Sequence, residues 1–406
     1  MGDRPLDGIR VLDFTWAWAG PFATLQLAHL GAEVIRVETT MHRLCVTRAI
    51  PPFADNVVGA NRAGYFNQYN QGKRSITLNL RSPRALEMIY ELVKHCDIVA
   101  ENFGAGVSER LGIGYPKLRE CRPDIIMISI SAYGQTGPAR RFIGYGPVVS
   151  AFSGFFSTTG YVGSEEQEIG ISYPDPNAGA HGAFALLAAL TYRDATGEGQ
   201  YIDLSMVETA VCVMGEGLLD YQLNGQEPVR NGNRDRVMAP HGCYKTKGDP
   251  DKWVAIAVSN DVEWGSLCVA MGLPGLVRDE RFATAEARKR NEDALDELIT
   301  NWTRSRDRWE IACLLQSVGV VAFPAMSNKD LSTDAHLMER GFLVRLRHPE
   351  ISERVHAGIP WKMSETPCEV RSPAPLLGAD TEWVLSSLLG YSHEEIEQLR
   401  KDGVVA

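Results

Sequence analysis

The chain has 406 residues, 44% hydrophobic and 23% charged, with a net charge of -10 at pH 7. That length exceeds what one compact core normally supports, so two domains are expected. The acidic balance argues against general binding to nucleic acid or to an anionic membrane, both of which need basic surface. The eight cysteines form no CxxC pair, and the nine histidines form no HExxH, so no metal site is expected. Reduced thiols fit a cytoplasmic location, as does an N-terminus, Met1 to Leu6, without the apolar core of a signal peptide. The longest apolar stretch, Ala178 to Leu190, is interrupted by His181 and is too short to span a bilayer.

Taken in chain order, Ile9 to Phe14 reads as a strand, Gly20 to Leu30 as a helix with proline in its first turn, and Glu33 to Val37 as a second strand. This βαβ unit implies a parallel sheet. A helix from Pro83 to His95 then leads to a strand at Asp97 to Glu101. The Val107 to Leu118 segment leads to another at Asp124 to Ser131. A helix following Asp175 runs to Arg193, turns at Thr196-Gly197-Glu198-Gly199 and feeds a strand from Tyr201 to Ser205, and a helix follows from Val207 to Leu223. The expected class is α/β: a Rossmann-like large domain over 1–224, completed by 331–406. The Gly/Asn/Arg-rich stretch Asn224 to Pro240 marks a boundary, with a smaller α+β domain over 225–330. That domain has a strand at Trp253 to Val258 and helices near Val262 to Met271, Asn291 to Arg304 and Trp309 to Val318. Ser332 to Pro375 reads as irregular, ahead of two helices, Thr381 to Leu389 and His393 to Lys401.

Asp175 stands out, in Tyr173-Pro174-Asp175-Pro176-Asn177-Ala178-Gly179. The flanking prolines favour an extended or turn backbone, and the Ala/Leu-rich run beyond favours helix. A carboxylate at a helix start is expected to be ionised and presented to its surroundings. It either caps the helix or serves as a covalent nucleophile. Two other motifs fail. Gly104-Ala105-Gly106 lacks the third glycine of a dinucleotide loop, because Glu109 stands there. Gly170-Ile171-Ser172-Tyr173-Pro174 puts proline where a nucleophile elbow needs glycine.

Several stretches, in order along nearly the whole chain, resemble the class III CoA transferases. They include Leu6-Asp7-Gly8-Ile9-Arg10-Val11-Leu12-Asp13-Phe14, Ala19-Gly20-Pro21, Asn70-Gln71-Gly72-Lys73-Arg74-Ser75-Ile76, Glu101-Asn102-Phe103-Gly104-Ala105-Gly106 and Ala374-Pro375-Leu376-Leu377-Gly378. The resemblance implies that Asp175, four residues before a glycine at a helix start, is the nucleophile. It implies an aspartyl anhydride and an aspartyl-CoA thioester as intermediates, with coenzyme A or acyl-CoA as substrate and no prosthetic group. It places CoA contacts on Trp16, Ala17, Trp18, Ala19, Lys73, Asn102, Phe103, Arg110, Leu111 and Tyr145, with Lys73 and Arg110 at phosphates and Phe103 at adenine. It also implies an intertwined homodimer, or a heteromer with a homologous subunit.

The resemblance has departures. After Tyr145, Gly146 stands where the family commonly has an acid, and Ser150 where it has glutamine. Trp18 replaces the smaller polar residue of formyl-CoA enzymes, which implies a reshaped acyl pocket. Related acyl-CoA racemases place histidine where Tyr145 stands, and a phenol serves poorly as the second acid/base at Cα. The Trp-Ala-Trp opening is similar to transferases that take CoA from succinyl-CoA to a substituted dicarboxylate such as benzylsuccinate. Arg43 and Arg48 are candidates for holding the distal carboxylate. An acyl-CoA racemase or epimerase, and a non-catalytic partner subunit of a heteromeric transferase, remain as alternatives.

Overall fold

A computed structural model describes residues 4–40, 44–248 and 252–405. Six parallel strands form the main sheet: β1 (Arg10–Asp13), β2 (Glu33–Glu38), β3 (Arg74–Thr77), β4 (Ile98–Glu101), β5 (Ile126–Ser131) and β6 (Tyr201–Ser205), in the order β3-β2-β1-β4-β5-β6. Val11 of β1 pairs with Val34 on one side and Ile98 on the other. The direction of winding therefore reverses between β1 and β4, and in open α/β sheets that crevice beyond the strand C-termini is where ligands bind.

Alternate side chains of these strands feed two cores, as the two-residue period of a pleated strand requires. Val11, Val34, Ile98 and Ile128 pack with Ala23 and Leu27 of the Ala19–His29 helix and with Ala178 and Leu186 of the Pro174–Thr196 helix. Leu12, Ile35, Val99 and Met127 pack on the other side with Met88 and Leu92 of the Pro83–Lys94 helix and with Val384, Leu385, Ile396 and Leu399 from the C-terminal helices Thr381–Leu389 and His393–Lys401. Both ends of the chain thus build one unit, comprising Met1–Phe156, Glu168–Glu227 and Ala335–Ala406.

The second unit comprises Ser157–Gln167 and Pro228–Asp334. It holds the antiparallel sheet β7 (His241–Lys245), β8 (Trp253–Ala257) and β9 (Val321–Pro324) around a core that includes Trp264, Leu267 and Ile299. The short segment from residue 157 joins it through bonds such as Gly232 N–H to Gly160 O at 2.8 Å.

Three local expectations are corrected. The passage after Ser332 contains an antiparallel hairpin, β10 (Leu343–His348) with β11 (Ser352–Ala357), whose arginines and histidines mask the alternation. The helix expected over Val207 to Leu223 is two helices, Met206–Cys212 and Gly215–Asn224, broken near a glycine-rich step. The long helix begins at Pro174, so Asp175 lies in its first turn rather than ahead of it; proline suits that position because its missing N–H has no intrahelical partner there.

One close approach locates this helix. A Cβ on Gly179 would stand 2.7 Å from the Ala19 carbonyl oxygen and 3.0 Å from Phe22 Cβ, so only glycine admits the neighbouring helix at that depth. Gly179→Val is expected to cost roughly 1–3 kcal/mol through overpacking, measured by urea denaturation.

Candidate active site

The floor of the site is a buried charge cluster at the end of β1. The Asp13 carboxylate accepts from Thr15 N at 2.8 Å, Thr15 Oγ1 at 2.5 Å, Thr24 Oγ1 at 2.8 Å and Lys73 Nζ at 3.2 Å. Burial alone would raise this carboxyl, yet the charges of Lys73 and Arg36 hold it below the ordinary range. Lys73 Nζ also donates within 3.0 Å of Pro21 O, Asn70 Oδ1 and Thr24 Oγ1. Its side chain has no exposed surface, and burial brings the ammonium down to about 8. Lys73 therefore ties strand, helix start and loop together. Its expected phosphate contact is corrected, because its three protons are engaged inside the protein.

Asn102, just beyond β4, holds the loop after β1 in both directions. Its Oδ1 accepts from Trp16 N at 2.6 Å and its Nδ2 donates to Trp16 O at 2.7 Å. This clamp supports Ala17 in a left-handed conformation, φ 56°, where a non-glycine residue is uncommon. Asn102 thus fixes the Trp16-Ala17-Trp18 backbone. Phe103 meets Trp16 edge-on, ring centroids 6.5 Å apart.

These residues border two cavities at the crevice. One, about 220 Å³, is lined by Trp16, Phe103, Leu111 and also Arg36, Leu78 and Arg81. The other, about 960 Å³, is lined by Asn102, Phe103, Arg110 and Tyr145, together with Arg140 and Arg141. Of the residues expected at CoA, Trp16, Asn102, Phe103, Arg110, Leu111 and Tyr145 are therefore brought to connected walls through Phe103. Arg81 at the smaller cavity and Arg140 and Arg141 at the larger were not anticipated, since lone loop arginines carry no motif and only the fold brings them to these walls.

Asp175 occupies the near end of its helix and is 7% exposed. Its N–H donates to Ser172 O at 3.1 Å. The expectation of an ionised, presented carboxylate is corrected: burial pushes it up to about 7, with the backbone amides of Ala19 and of Asp175 itself pulling the other way. Gly146, first residue of the Gly146–Phe152 helix, lies against the carboxyl. A Cβ there would overlap Asp175 Oδ2 and stand 2.5 Å from Ser172 Cβ and 2.9 Å from Ser172 Oγ.

Beside Ala19, the Trp18 ring meets Tyr65 at 5.6 Å and Tyr69 at 5.0 Å, and Tyr69 meets Phe22 at 6.1 Å. Tyr65 and Tyr69 come from the Gly64–Tyr69 helix. Burial, and then the Asp175 charge, push the Tyr65 phenol well up. Trp18 Nε1 is buried without a hydrogen-bond partner among the described residues.

Of the two arginines considered for an acceptor carboxylate, Arg43 lies outside the described residues. Arg48 is corrected to a structural role. Its side chain is buried, donates to Glu38 Oε1 at 2.7 Å and Oε2 at 2.8 Å, and stacks 3.4 Å above Phe66.

Residues 6–381 match the model of CoA-transferase family III. The chain belongs to that family. It is 31% identical to succinyl-CoA:glutarate CoA-transferase of Mus musculus, over 99% of this chain and 90% of that protein. It is 32% identical to succinyl-CoA--D-citramalate CoA-transferase of Chloroflexus aurantiacus, over 99% and 98% respectively. A crystal structure of a CAIB/BAIF family protein from Brucella suis superposes with a TM-score of 0.87, at 32% identity, covering 95% of this chain and 100% of that one. Acyl-CoA and carboxylate substrates follow from membership of this transferase family. Among the described residues, no cluster of potential metal ligands occurs and no helix is long and apolar enough to cross a membrane.

Lys73 and Arg110 separate cleanly by experiment. Lys73→Met leaves Asp13 short of a buried partner and is expected to cost about 3–5 kcal/mol, read from urea denaturation. Arg110→Ala is expected to leave stability within about 0.5 kcal/mol, because the side chain is exposed.

Proposed function

We propose that the protein transfers CoA from succinyl-CoA to a dicarboxylic acid, with Asp175 as the covalent nucleophile. The observation that carries this reading is that Asp175 is a buried carboxyl with neither a cationic partner nor a side-chain hydrogen bond among the described residues. Glu101, also buried and without a cation among them, is held by the Ser129 hydroxyl and the Phe103 amide. Asp13 and Glu38, equally buried, are each neutralised by Lys73, Arg36 or Arg48. A buried, unpaired carboxylate is costly to folding, and such groups concentrate where chemistry needs them. Stripped of water, its oxygen is also free to attack a carbonyl.

In the first step an Asp175 carboxylate oxygen adds to the thioester carbonyl of the donor, and the C–S bond breaks to release CoA thiolate. The thiolate then attacks the Asp175 carbonyl of the resulting anhydride, which gives an aspartyl-CoA thioester and frees succinate. The acceptor carboxylate displaces the thiolate to form a second anhydride. Attack of the thiolate on the acceptor carbonyl releases the new acyl-CoA and restores Asp175. Every intermediate retains the energy of an activated acyl group, so exclusion of water matters more than acid/base help. The Asp175 surroundings are suited to that.

Trp16, Phe103 and Leu111 are assigned to the adenine end of CoA, with Arg81 and Arg110 as cations for its phosphates. The Trp18-Tyr65-Tyr69 cluster favours an acceptor with a bulky apolar substituent, benzylsuccinate being one example, and Trp18 Nε1 is a donor for one of its oxygens. A second copy of the chain, or a homologous one, is proposed to cover the exposed Phe184, Leu219 and Leu223, apolar side chains that solvent alone accommodates poorly.

The reading is tested by mass spectrometry of CoA esters after incubation with succinyl-CoA and either glutarate or benzylsuccinate. New acyl-CoA is expected with wild type and background amounts with Asp175→Asn. Deuterium entering Cα of an acyl-CoA without any acceptor acid would instead indicate a racemase. Arg110→Ala is expected to raise KM for the CoA donor roughly tenfold, the scale of a lost charged hydrogen bond at ~1.5–3 kcal/mol. Because the nucleophile must be ionised, kcat/KM is expected to fall as pH drops through about 7. The same shift acts on stability. Ionising Asp175 costs more in the folded state, so stability is lost as pH rises from the ordinary aspartate range through about 7. Asp175→Asn should therefore gain more stability at pH 8 than at pH 5.

A further inference from the structure

The segment Gly170-Ile171-Ser172-Tyr173-Pro174, which fails as a nucleophile elbow, ends directly at the Asp175 turn. Ser172 O receives the Asp175 N–H at 3.1 Å, so Ser172 belongs to the same tight turn as the nucleophile. Its hydroxyl and the Asp175 carboxyl converge on the bare Cα of Gly146. A Cβ at that position would overlap Asp175 Oδ2 and stand 2.9 Å from Ser172 Oγ. Position 146 is also where the family resemblance leads one to expect an acidic side chain. An acid there would compete with Asp175 for volume and repel it as a like charge. Glycine removes both conflicts and leaves the space to a hydroxyl.

The Asp175 carboxyl receives no side-chain hydrogen bond among the described residues, and the Ser172 hydroxyl has no partner among them. Ser172 is half-exposed, which leaves its Cα–Cβ rotor free to turn. We propose that Ser172 is a positioning residue for Asp175, its hydroxyl donating to the carboxylate before attack and to the carbonyl oxygen of the aspartyl thioester once that has formed. This rests on Asp175 being the nucleophile. It adds a donor that can follow the oxygen as its charge changes, in a site where the fixed donors are backbone amides.

The test is the pH profile of kcat/KM for succinyl-CoA with Ser172→Ala and Ser172→Thr beside wild type. Loss of a donor to the charged form raises the carboxyl further. Ser172→Ala is therefore expected to move the acid limb to higher pH and to lower kcat roughly tenfold to a hundredfold, the range of a lost hydrogen bond to a charged group. Ser172→Thr keeps the hydroxyl and is expected to restore both. KM for the donor should change little, because Ser172 lines neither of the two CoA cavities. Tyr65 of the Gly64–Tyr69 helix, the phenol that feels the Asp175 charge, is pushed well up by burial and does not titrate across such an acid limb. An unmoved acid limb with kcat intact in Ser172→Ala would overturn the assignment, as would failure of Ser172→Thr to restore a lost one. If wild type itself transfers no CoA, the nucleophile reading falls first, and this assignment with it.

Discussion

A carboxyl group held out of water without a counter-charge is the constraint around which the large unit is arranged. Such a group opposes folding, so the surroundings must fix it by other means. Three features do so here. Gly179 lets the Pro174–Thr196 helix close on Ala19, bringing the Ala19 amide to bear on Asp175. Gly146 gives the carboxyl a surface with no side chain to displace it. The Lys73-Asp13-Thr24 cluster anchors the start of the Ala19–His29 helix, so the amide it presents is itself held in place.

The contrast between two kinds of buried acid is instructive. Asp13 and Glu38 sit among Lys73, Arg36 and Arg48, and their charges are spent on cohesion at the strand ends. Asp175 lies outside that network, and burial, opposed only by the backbone amides of Ala19 and of Asp175 itself, raises its carboxyl to about 7. The same residue type is structural in one place and poised in the other, and the difference lies in which neighbours the fold supplies. The clamp of Asn102 on Trp16 extends this logic to the ligand side: a strained Ala17 turn is held by two short hydrogen bonds so that aromatic rings stand at the mouth of the crevice.

Much of this was legible from the residues. The hydrophobic runs and their Gly/Pro punctuation located β1, β2, β5, β6 and both C-terminal helices, because strands buried on two faces and helices with clear caps leave strong local signals. β3 and the β10-β11 hairpin escaped notice, since Arg74, Arg345 and Arg347 interrupt their apolar pattern with charges satisfied only in three dimensions. The site was legible in part. The two prolines and the glycine beyond marked Asp175 as lying at a helix start, while its role as nucleophile came from the family resemblance and stands as a proposal. The fates of Lys73 and Arg48 did not, because whether a cation faces solvent, ligand or a buried acid depends on partners dozens of residues away, such as Asp13 for Lys73 and Pro375 for Arg48. Gly146 looked like the loss of an acid; only the packed structure turns it into room for the Asp175 carboxyl.

The central claim is that Asp175 itself carries the acyl group and then CoA. It is tested most directly by brief exposure to succinyl-CoA, trapping with hydroxylamine, and intact-mass and peptide analysis of wild type beside Asp175→Asn. A hydroxamate confined to Asp175 and absent from the variant is expected. A hydroxamate on another residue, or none from a preparation that turns over succinyl-CoA, would contradict it.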